Sequence, residues 1–291
     1  MSKSVEPKTF PPTFLITSGQ YLNHPYRGTS YPIGDLIVVV EERWINDVQL
    51  PFEGHLYVSL IKGTQKISGP TLLFPNSHKY FYNPNFVKTS SGIFLYFNVF
   101  DPITDKASFE RSEYNNQAFG QPQPMTLTEN LDGQYRPWFF ISSSYDNQVV
   151  LTYEWRDPVT KKNRLKISTS SDGFHFNPSK DMAVGVMARH NFFQDGSQIF
   201  TYQNGDPKNM IDFFSLSKTG FQWSPFQPVT HQRNVHDVVP FRRLDGNIDL
   251  YYIATGTGSP FSIFRRSVNK HGSLGPEEEL SDKAQGPVMQ L

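Results

Sequence analysis

The stretch that decides the fold is a recurring one, and its clearest copy is RPWFFISSSYDNQVVLTYEWRD at residues 136–157. It reads as a short apolar strand, a polar turn and a second strand rich in β-branched and aromatic residues. The same arrangement occurs at residues 31–42, 83–101, 190–206 and 236–256. Five copies at a period of about fifty residues indicate a repeat architecture.

A third strand and a turn into a fourth follow each pair, as in HLYVSLIKG at residues 55–63 and LKISTSSDGFHFNP at residues 165–178. Four antiparallel strands per repeat are typical of a propeller blade. We therefore predict an all-β fold, a five-bladed β-propeller of four-stranded antiparallel blades that forms one domain over residues 1–291. A β-sandwich or two smaller barrels would account for the strands but gives no reason for the repeat.

The composition agrees with this fold and narrows the ligands. Aromatic residues make up 15% of the chain, and 22 Pro and 20 Gly supply frequent turns. Because 27 Lys and Arg balance 27 Asp and Glu, no overall field attracts nucleic acid, and we expect no nucleic-acid partner. The absence of Cys excludes disulfides, thiolate metal sites and a cysteine nucleophile.

The N-terminal region raises two expectations. Residues 1–12 are polar and contain proline, so we expect an arm outside the blades, and no apolar run approaches the roughly eighteen residues of a membrane span. A propeller ring needs protected edges, and the apolar segment FLIT at residues 14–17 is the candidate for an extra strand that closes the ring.

Two turn motifs recur and favour structural roles. Ser-x-x-Gly-x-x-aromatic occurs at Ser170, Gly173 and Phe176 and again at Ser217, Gly220 and Trp223. A hydroxyl can bond turn amides, Gly admits a positive φ, and the ring can pack between blades. Asp-Pro closes the second strand of three repeats, beginning at Asp101, Asp157 and Asp206, and is an ordinary start of a turn.

In a propeller the start of each inner strand lies on one face, around the central channel. The sequence places seven polar residues there: Arg27, Asn83, Arg136, Arg189, His190, His236 and Asp237. Guanidinium groups bind carboxylate, sulfate or phosphate through paired donors, so we predict a carbohydrate or other small anionic ligand, with these residues and the stacking surface of Trp138 as its binding site. The alternative is a structural ring in which the arginines bond strand-end carbonyls or the Asp-Pro carboxylates.

Catalysis at the same face would need two carboxylates, as in glycoside hydrolysis. The candidates on that face are Glu41, Glu42, Asp47, Glu53, Asp101, Glu154, Asp157, Asp206 and Asp237. Asp237 is the best placed because it begins an inner strand beside His236. Two histidines without characteristic spacing are a weak metal signal, so we expect neither a metal nor another cofactor.

Residues 26–43 (YRGTSYPIGDLIVVVEER), followed by Asp47, resemble the opening of sialidases, in which Tyr-Arg-Ile-Pro precedes a strand and Glu-Ala-Arg. The resemblance implies that Arg27 binds a substrate carboxylate, with Arg136 and Arg189 as further members of an arginine triad. It also places Asp47 near an acid/base aspartate. The Tyr/Glu nucleophile pair of sialidases has no match by motif, and Glu154 with Tyr251 or Tyr252 is the conceivable pair. Gly28 and Thr29 stand where sialidases have Ile-Pro.

The turns SSDGFHF and SKTGFQW resemble those of five-bladed arabinanase- and invertase-type glycosidases, which also match the blade count. That family places acids on the inner strands, where only Asp237 fits. The resemblance implies a glycoside hydrolase-like propeller, with Asp237, Asp47 and Glu154 as catalytic candidates and an extracellular or periplasmic location. A lectin-like propeller without catalysis and a protein-interaction scaffold are the alternatives.

Overall fold

The computed structural model describes residues 25–44, 54–131, 134, 137–143, 148–193, 195–206, 210–218, 222–230, 235–254, 262–269 and 271–280, with backbone alone at 25–27, 44, 236 and 237. These residues form strands and turns, and they contain no helix long and apolar enough to cross a membrane. The arrangement is the predicted five-bladed β-propeller of antiparallel blades.

The blades are consecutive along the chain. Blade I comprises β1 (Pro25–Ile33), β2 (Leu36–Trp44), β3 (Gly54–Lys62) and β4 (Gln65–Leu72). Blade II comprises β5 (Tyr80–Thr89), β6 (Gly92–Asp101), β7 (Lys106–Asn115), β8 (Ala118–Phe119) and β9 (Gln123–Pro124). Blade III comprises β10 (Phe139–Ser143), β11 (Val149–Arg156), β12 (Asn163–Ser170) and β13 (Lys180–Val184).

Blade IV comprises β14 (Val186–Phe192), β15 (Gln198–Gln203), β16 (Asp212–Ser217) and β17 (Gln227–Pro228). Blade V comprises β18 (Val235–Arg242), β19 (Ile248–Ala254), β20 (Ser262–Val268) and β21 (Leu274–Glu279). The outer edge of blade II is divided, because β8 and β9 both pair with β7. All five sheets are built from consecutive strands among the described residues. Residues 14–17, the candidate for an extra strand, lie outside the described residues, as do residues 1–12.

The second strand of each blade is buried on both faces, which explains its apolar sequence. In β6 every residue from Phe94 to Phe100 is buried, because one face of the strand meets blade I and the other meets blade III. Alternate side chains point to opposite faces of a sheet. Leu95, Phe97 and Val99 therefore pack towards blade I, whereas Phe94 and Tyr96 pack towards blade III.

Apolar clusters fill the joints between consecutive blades. The I/II cluster includes Val40, Leu56, Phe81, Leu95 and Phe97. The II/III cluster includes Tyr96, Phe109, Phe139, Leu151 and Tyr153, with the rings of Phe109 and Phe139 4.9 Å apart. The III/IV cluster includes Leu165, Ala188 and Phe200, and the IV/V cluster includes Ile199, Phe214, Leu250 and Tyr252.

The Ser-x-x-Gly-x-x-aromatic motif of blade III forms a turn that also joins two blades. The Gly173 N–H donates to Ser170 Oγ at 2.9 Å, and Gly173 has a φ of 66°. Tyr96 of blade II donates its hydroxyl to the Gly173 carbonyl at 3.1 Å, and Phe176 lies in the II/III cluster. In blade IV, Gly220 lies outside the described residues, and Trp223 packs edge-on against Phe200.

The Asp-Pro motifs also form turns. Asp101 Oδ1 accepts the Ile103 N–H at 2.9 Å, and Asp157 Oδ1 accepts the Val159 N–H at 2.8 Å. Each carboxylate thus closes the loop between the second and third strands, as an Asx turn does. Hydrogen bonds from the Thr160 and Val159 backbone N–H groups hold the pKa of Asp157 well below its ordinary value.

Candidate functional site

The top face is defined here as the face on which the inner strands β1, β5, β10, β14 and β18 begin. The described part of the chain places the loops after β6, β11 and β15 on that face, because each inner strand pairs antiparallel with the second strand of its blade. Neighbouring inner strands contact one another, β1 with β5, β5 with β10 and β10 with β14. Their starting ends surround the channel opening, called the mouth below.

Irregular backbone marks the mouth. The register with the second strand shifts between Tyr82 and Asn85 in β5, and between Val186 and Arg189 in β14. Within these bulges Asn83 has a φ of 50° and Met187 a φ of 55°. A positive φ at a residue other than glycine costs free energy and persists only where the surroundings hold it. Both Asn83 and Met187 are held by a hydrogen bond to the neighbouring blade.

A carboxylate of the preceding blade, buried in the case of Glu42 and half-buried in the case of Glu154, binds each strained residue. Glu154, near the end of β11, accepts the Met187 N–H on Oε1 at 2.7 Å. Glu42, in the corresponding place on β2, accepts the Asn83 N–H on Oε2 at 2.9 Å. Both bonds cross from one blade to the next, and charge-assisted bonds of this type are stronger than neutral ones.

Amide side chains make the same connection at the other two joints. Asn98 of β6 donates Nδ2 to the Pro137 carbonyl, and Gln203 of β15 donates Nε2 to the Val235 carbonyl at 2.9 Å. At two joints a carboxylate accepts a backbone N–H, and at the other two a carboxamide donates to a backbone carbonyl, so every contact pairs a donor with an acceptor. We call these four contacts, made by Glu42, Asn98, Glu154 and Gln203, the interblade clasps. They fix the starts of inner strands β5, β14 and β18, and Pro137, two residues before β10 begins.

Several carboxylates that the sequence offers as catalytic candidates accept hydrogen bonds from other protein groups. Glu154 accepts Asn163 Nδ2 at 3.4 Å in addition to the Met187 N–H, so both of its oxygens face donors. Glu41 accepts Arg43 Nη2 at 2.8 Å. A general acid or nucleophile must reach the substrate, whereas these carboxylate oxygens already accept hydrogen bonds from protein groups. Tyr252 donates its hydroxyl to Glu277 at 2.6 Å.

Two predicted site residues meet at the mouth. The guanidinium carbon of Arg189 lies 6.0 Å from the centre of the Trp138 ring, across the joint between blades III and IV. Trp138 is 9% exposed, whereas Arg189 is half-buried. An aromatic face beneath a guanidinium attracts it and limits its rotamers. Trp138 therefore supports Arg189 from below, and the arginine is the more accessible of the two.

His190 is fully buried beneath this surface. Its Nε2 lies 2.8 Å from Gln198 Oε1 and its Nδ1 lies 3.0 Å from Ser142 Oγ. Because the carboxamide oxygen only accepts, Nε2 carries the proton and Ser142 donates to Nδ1. Burial lowers the pKa of His190 to about 4, so the ring is neutral. His190 links blade III to blade IV through Ser142.

Of the other predicted site residues, some are described by the structure and some are not. Asn83 is buried, and its carbonyl accepts Asn85 Nδ2 at 2.9 Å. The backbone of Arg27 lies opposite Glu42, and Asp237 lies in the β18 bulge between His236 and Val239, the place that Asn83 and Met187 take in their blades. Asp47 and Arg136 lie outside the described residues. Within the described chain no group of three or more His, Asp or Glu residues could hold a metal ion.

Glu42, Asn98 and Gln203 hold the backbone at the mouth, and no sequence motif marks them as a set. They occupy one place in the repeat, at or close before the end of the second strand, but their side chains differ. Because the residue types differ, no shared motif marks these positions. Their common signal in the sequence is a polar residue within an otherwise apolar second strand.

Comparison of structures shows the same fold in other proteins. A protein of unknown function from Dyadobacter fermentans matches with a TM-score of 0.64 and 14% identity, covering 89% of this chain and 84% of that one. An α-L-arabinofuranosidase from Clostridium thermocellum matches with a TM-score of 0.53 and 12% identity, covering 86% and 92%. A mannose phosphorylase from Leishmania mexicana, solved with phosphate ion, matches with a TM-score of 0.53 and 11% identity, covering 89% of each chain.

No protein-family model matches the chain, and no curated protein matches it by sequence. At these identities the structural matches establish the five-bladed propeller fold.

Proposed function

We propose that this protein binds a carbohydrate with an anionic substituent at the mouth of the propeller. The observation that carries the proposal is the half-buried Arg189 guanidinium, supported by the Trp138 ring at the joint between blades III and IV. A pre-positioned guanidinium loses little freedom when it binds a carboxylate through two parallel hydrogen bonds. Propellers of this fold include an arabinofuranosidase and a mannose phosphorylase, which supports a sugar as the ligand class.

The residues divide into contact and support roles. Arg189 contacts the anionic group, and Arg27 and Arg136 are its proposed companions from the same ring of strand starts. Trp138 holds Arg189, and His190 anchors β14 to blade III from behind. Asn83 and His236 belong to the proposed rim of the site. The interblade clasps of Glu42 and Glu154 keep these strand starts in place.

Hydrolysis is a second candidate function, and the position of Asp237 favours it. Asp237 lies in the β18 bulge, at the mouth and at the place equivalent to Asn83 and Met187. A glycosidase needs a second carboxylate, and Asp47 is the remaining proposal because Glu154 already accepts two N–H groups. On this proposal Glu154 is a positioning residue.

A glycan array that carries uronate-bearing, sialate-bearing and neutral glycans tests the binding proposal. We expect saturable binding concentrated among the acidic glycans. Binding to none, or binding that ignores acidity, would contradict it. Fluorogenic sialosides, arabinosides and uronides test hydrolysis, with Asp237→Asn and Asp47→Asn as controls. Turnover that survives both substitutions would reject these residues as the catalytic pair.

A further inference from the structure

The joint between blades V and I differs from the other four joints. Among the described residues, apolar clusters join I to II, II to III, III to IV and IV to V, and none of them spans V and I. The four interblade clasps serve the same four joints. Gln203, a clasp residue, pairs with Val186 just before the bulge of its inner strand. In blade V the residue that pairs with His236 at the same place is Ile253, which has no polar side chain to form a clasp.

The blade V face of this joint is charged. Leu250, Tyr252 and Ala254 lie in the IV/V cluster, so the alternate residues Asp249, Tyr251 and Ile253 face blade I. Asp249 is 3% exposed and accepts Ser267 Oγ at 2.6 Å. Its other oxygen lies 3.8 Å from Arg265 Nη1. An ion pair whose arginine stays partly exposed adds little net free energy to a joint.

The blade I face is charged as well. Val40 lies in the I/II cluster, so Val39, Glu41 and Arg43 face blade V. Glu41 and Arg43 pair with each other, and the Arg43 guanidinium lies 5.0 Å from the Tyr57 ring. The corresponding faces of the other blades carry apolar residues at these places, such as Leu95, Phe97 and Val99 in β6.

Because both faces carry charged residues, we expect the joint between blades V and I to be less stable than the other four joints. Apolar area removed from water stabilises a joint by about 25 cal/mol per Å², whereas buried ion pairs repay their desolvation only in part. A ring with one weak joint behaves as a linear array of repeats. The terminal units of such an array have one strong neighbour each and unfold before the central units.

We propose that the propeller ring opens at the joint between blades V and I, and that blades I and V unfold locally before blades II, III and IV. The proposal does not depend on the identity of the ligand. Its consequence for the site is that the mouth widens between β18 and β1, which are the strands that carry Asp237 and Arg27.

Native-state hydrogen exchange of the full chain tests the proposal without a ligand. The second strands β2, β6, β11, β15 and β19 are a matched set, because each is hydrogen-bonded to a strand on both sides. We expect amides of β2 and β19 to exchange at least about tenfold faster than those of β6, β11 and β15. Equal protection in all five strands would overturn the proposal.

A matched pair of substitutions gives a second test. Ile199 of β15 and Ile253 of β19 both face the next blade and are 0% and 1% exposed, respectively. Ile253 faces the joint that opens on this proposal, so the effect of Ile253→Ala is limited to the free energy of closing the ring. We expect Ile199→Ala to lower the midpoint of urea unfolding at least about twice as much as Ile253→Ala. Equal shifts would overturn the proposal.

Discussion

Glu154 and Met187 are joined across the boundary of blades III and IV, because a carboxylate oxygen of Glu154 accepts the Met187 backbone N–H at 2.7 Å. The acceptor sits at the end of a second strand, and the donor belongs to a strained residue in the inner strand of the next blade. The same relationship between Glu42 and Asn83 joins blades I and II. Two mouth carboxylates therefore stabilise the backbone that carries the proposed site.

Glu154→Ala should destabilise the protein. The substitution leaves the Met187 N–H without its acceptor, which costs about 1 to 2 kcal/mol. Glu154→Gln should cost less, since its carboxamide oxygen can accept the same N–H. Urea unfolding measures both, with Glu113→Ala on the exposed side of β7 as the control. Equal midpoints for Glu154→Ala and Glu113→Ala would show that the interblade contact contributes nothing.

Gly173 and Gly196 provide a comparison of two turns. Both have a positive φ, so an added Cβ costs about 1 kcal/mol of backbone strain at either position. At Gly196 the Cβ meets nothing within 4 Å, whereas at Gly173 it would lie 2.4 Å from the Tyr96 hydroxyl. We expect Gly173→Ala to cost about 1 to 3 kcal/mol more than Gly196→Ala. Thermal unfolding measures the difference, and equal losses would refute the close approach.

Asp157 should contribute to acid sensitivity. Backbone N–H groups of Thr160 and Val159 hold its pKa below the ordinary 3.8, so the stabilisation is present above pH 3.8 and is lost as the pH falls below it. Asp157→Asn keeps an oxygen that accepts both N–H groups and removes the titration. Its stability should fall less steeply than that of the wild type between about pH 5 and pH 2. Parallel curves would contradict this assignment.

His190 should remain neutral in the folded protein through mild acid. Burial lowers its pKa to about 4 from 6.5, so the unfolded chain takes up this proton first. The stability linked to His190 is complete above pH 6.5 and declines as the pH falls towards 4. NMR titration should show no midpoint for this imidazole above pH 5. His190→Gln should flatten the stability curve between pH 6.5 and 4, and a midpoint near 6.5 would contradict the buried, neutral ring.

Much of the fold could be predicted from the sequence, because the repeat combines two local signals. Alternation and aromatic content mark the strand pairs, and motifs such as Asp157-Pro158 and Ser170-x-x-Gly173 mark the turns. Both motifs form the turns that their chemistry indicates. The expectation that residues 14–17 add a strand rests on protecting the sheet edges, and those residues lie outside the described part of the chain.

The site was harder to predict because contacts between blades leave no local pattern. Position near a strand start predicts that Arg189 and Trp138 lie close together, and the Arg189 guanidinium carbon lies 6.0 Å from the centre of the Trp138 ring. It could not show that His190, the next residue, is buried, because neighbouring residues of a strand point to opposite faces. Nor could it show that Glu154 binds the backbone of the next blade, since that partner lies 33 residues further along the chain.

Arg189 has a matched control at the opposite end of the inner strands. Arg242 ends β18, its guanidinium carbon lies 5.2 Å from the Phe193 ring, and it also connects two blades, through Ser197. Arg189→Ala and Arg242→Ala therefore each remove an arginine that rests on an aromatic ring. They differ in that Arg189 alone lies at the mouth.

Isothermal titration of both variants with an acidic glycan and its carboxyl-reduced counterpart tests the central claim most directly. We predict that the wild type and Arg242→Ala bind the acidic form at least about tenfold more tightly than the reduced form, and that Arg189→Ala loses this preference. An unchanged preference in Arg189→Ala, or equal binding of the acidic and reduced glycans by the wild type, would contradict an anionic-sugar site at the mouth.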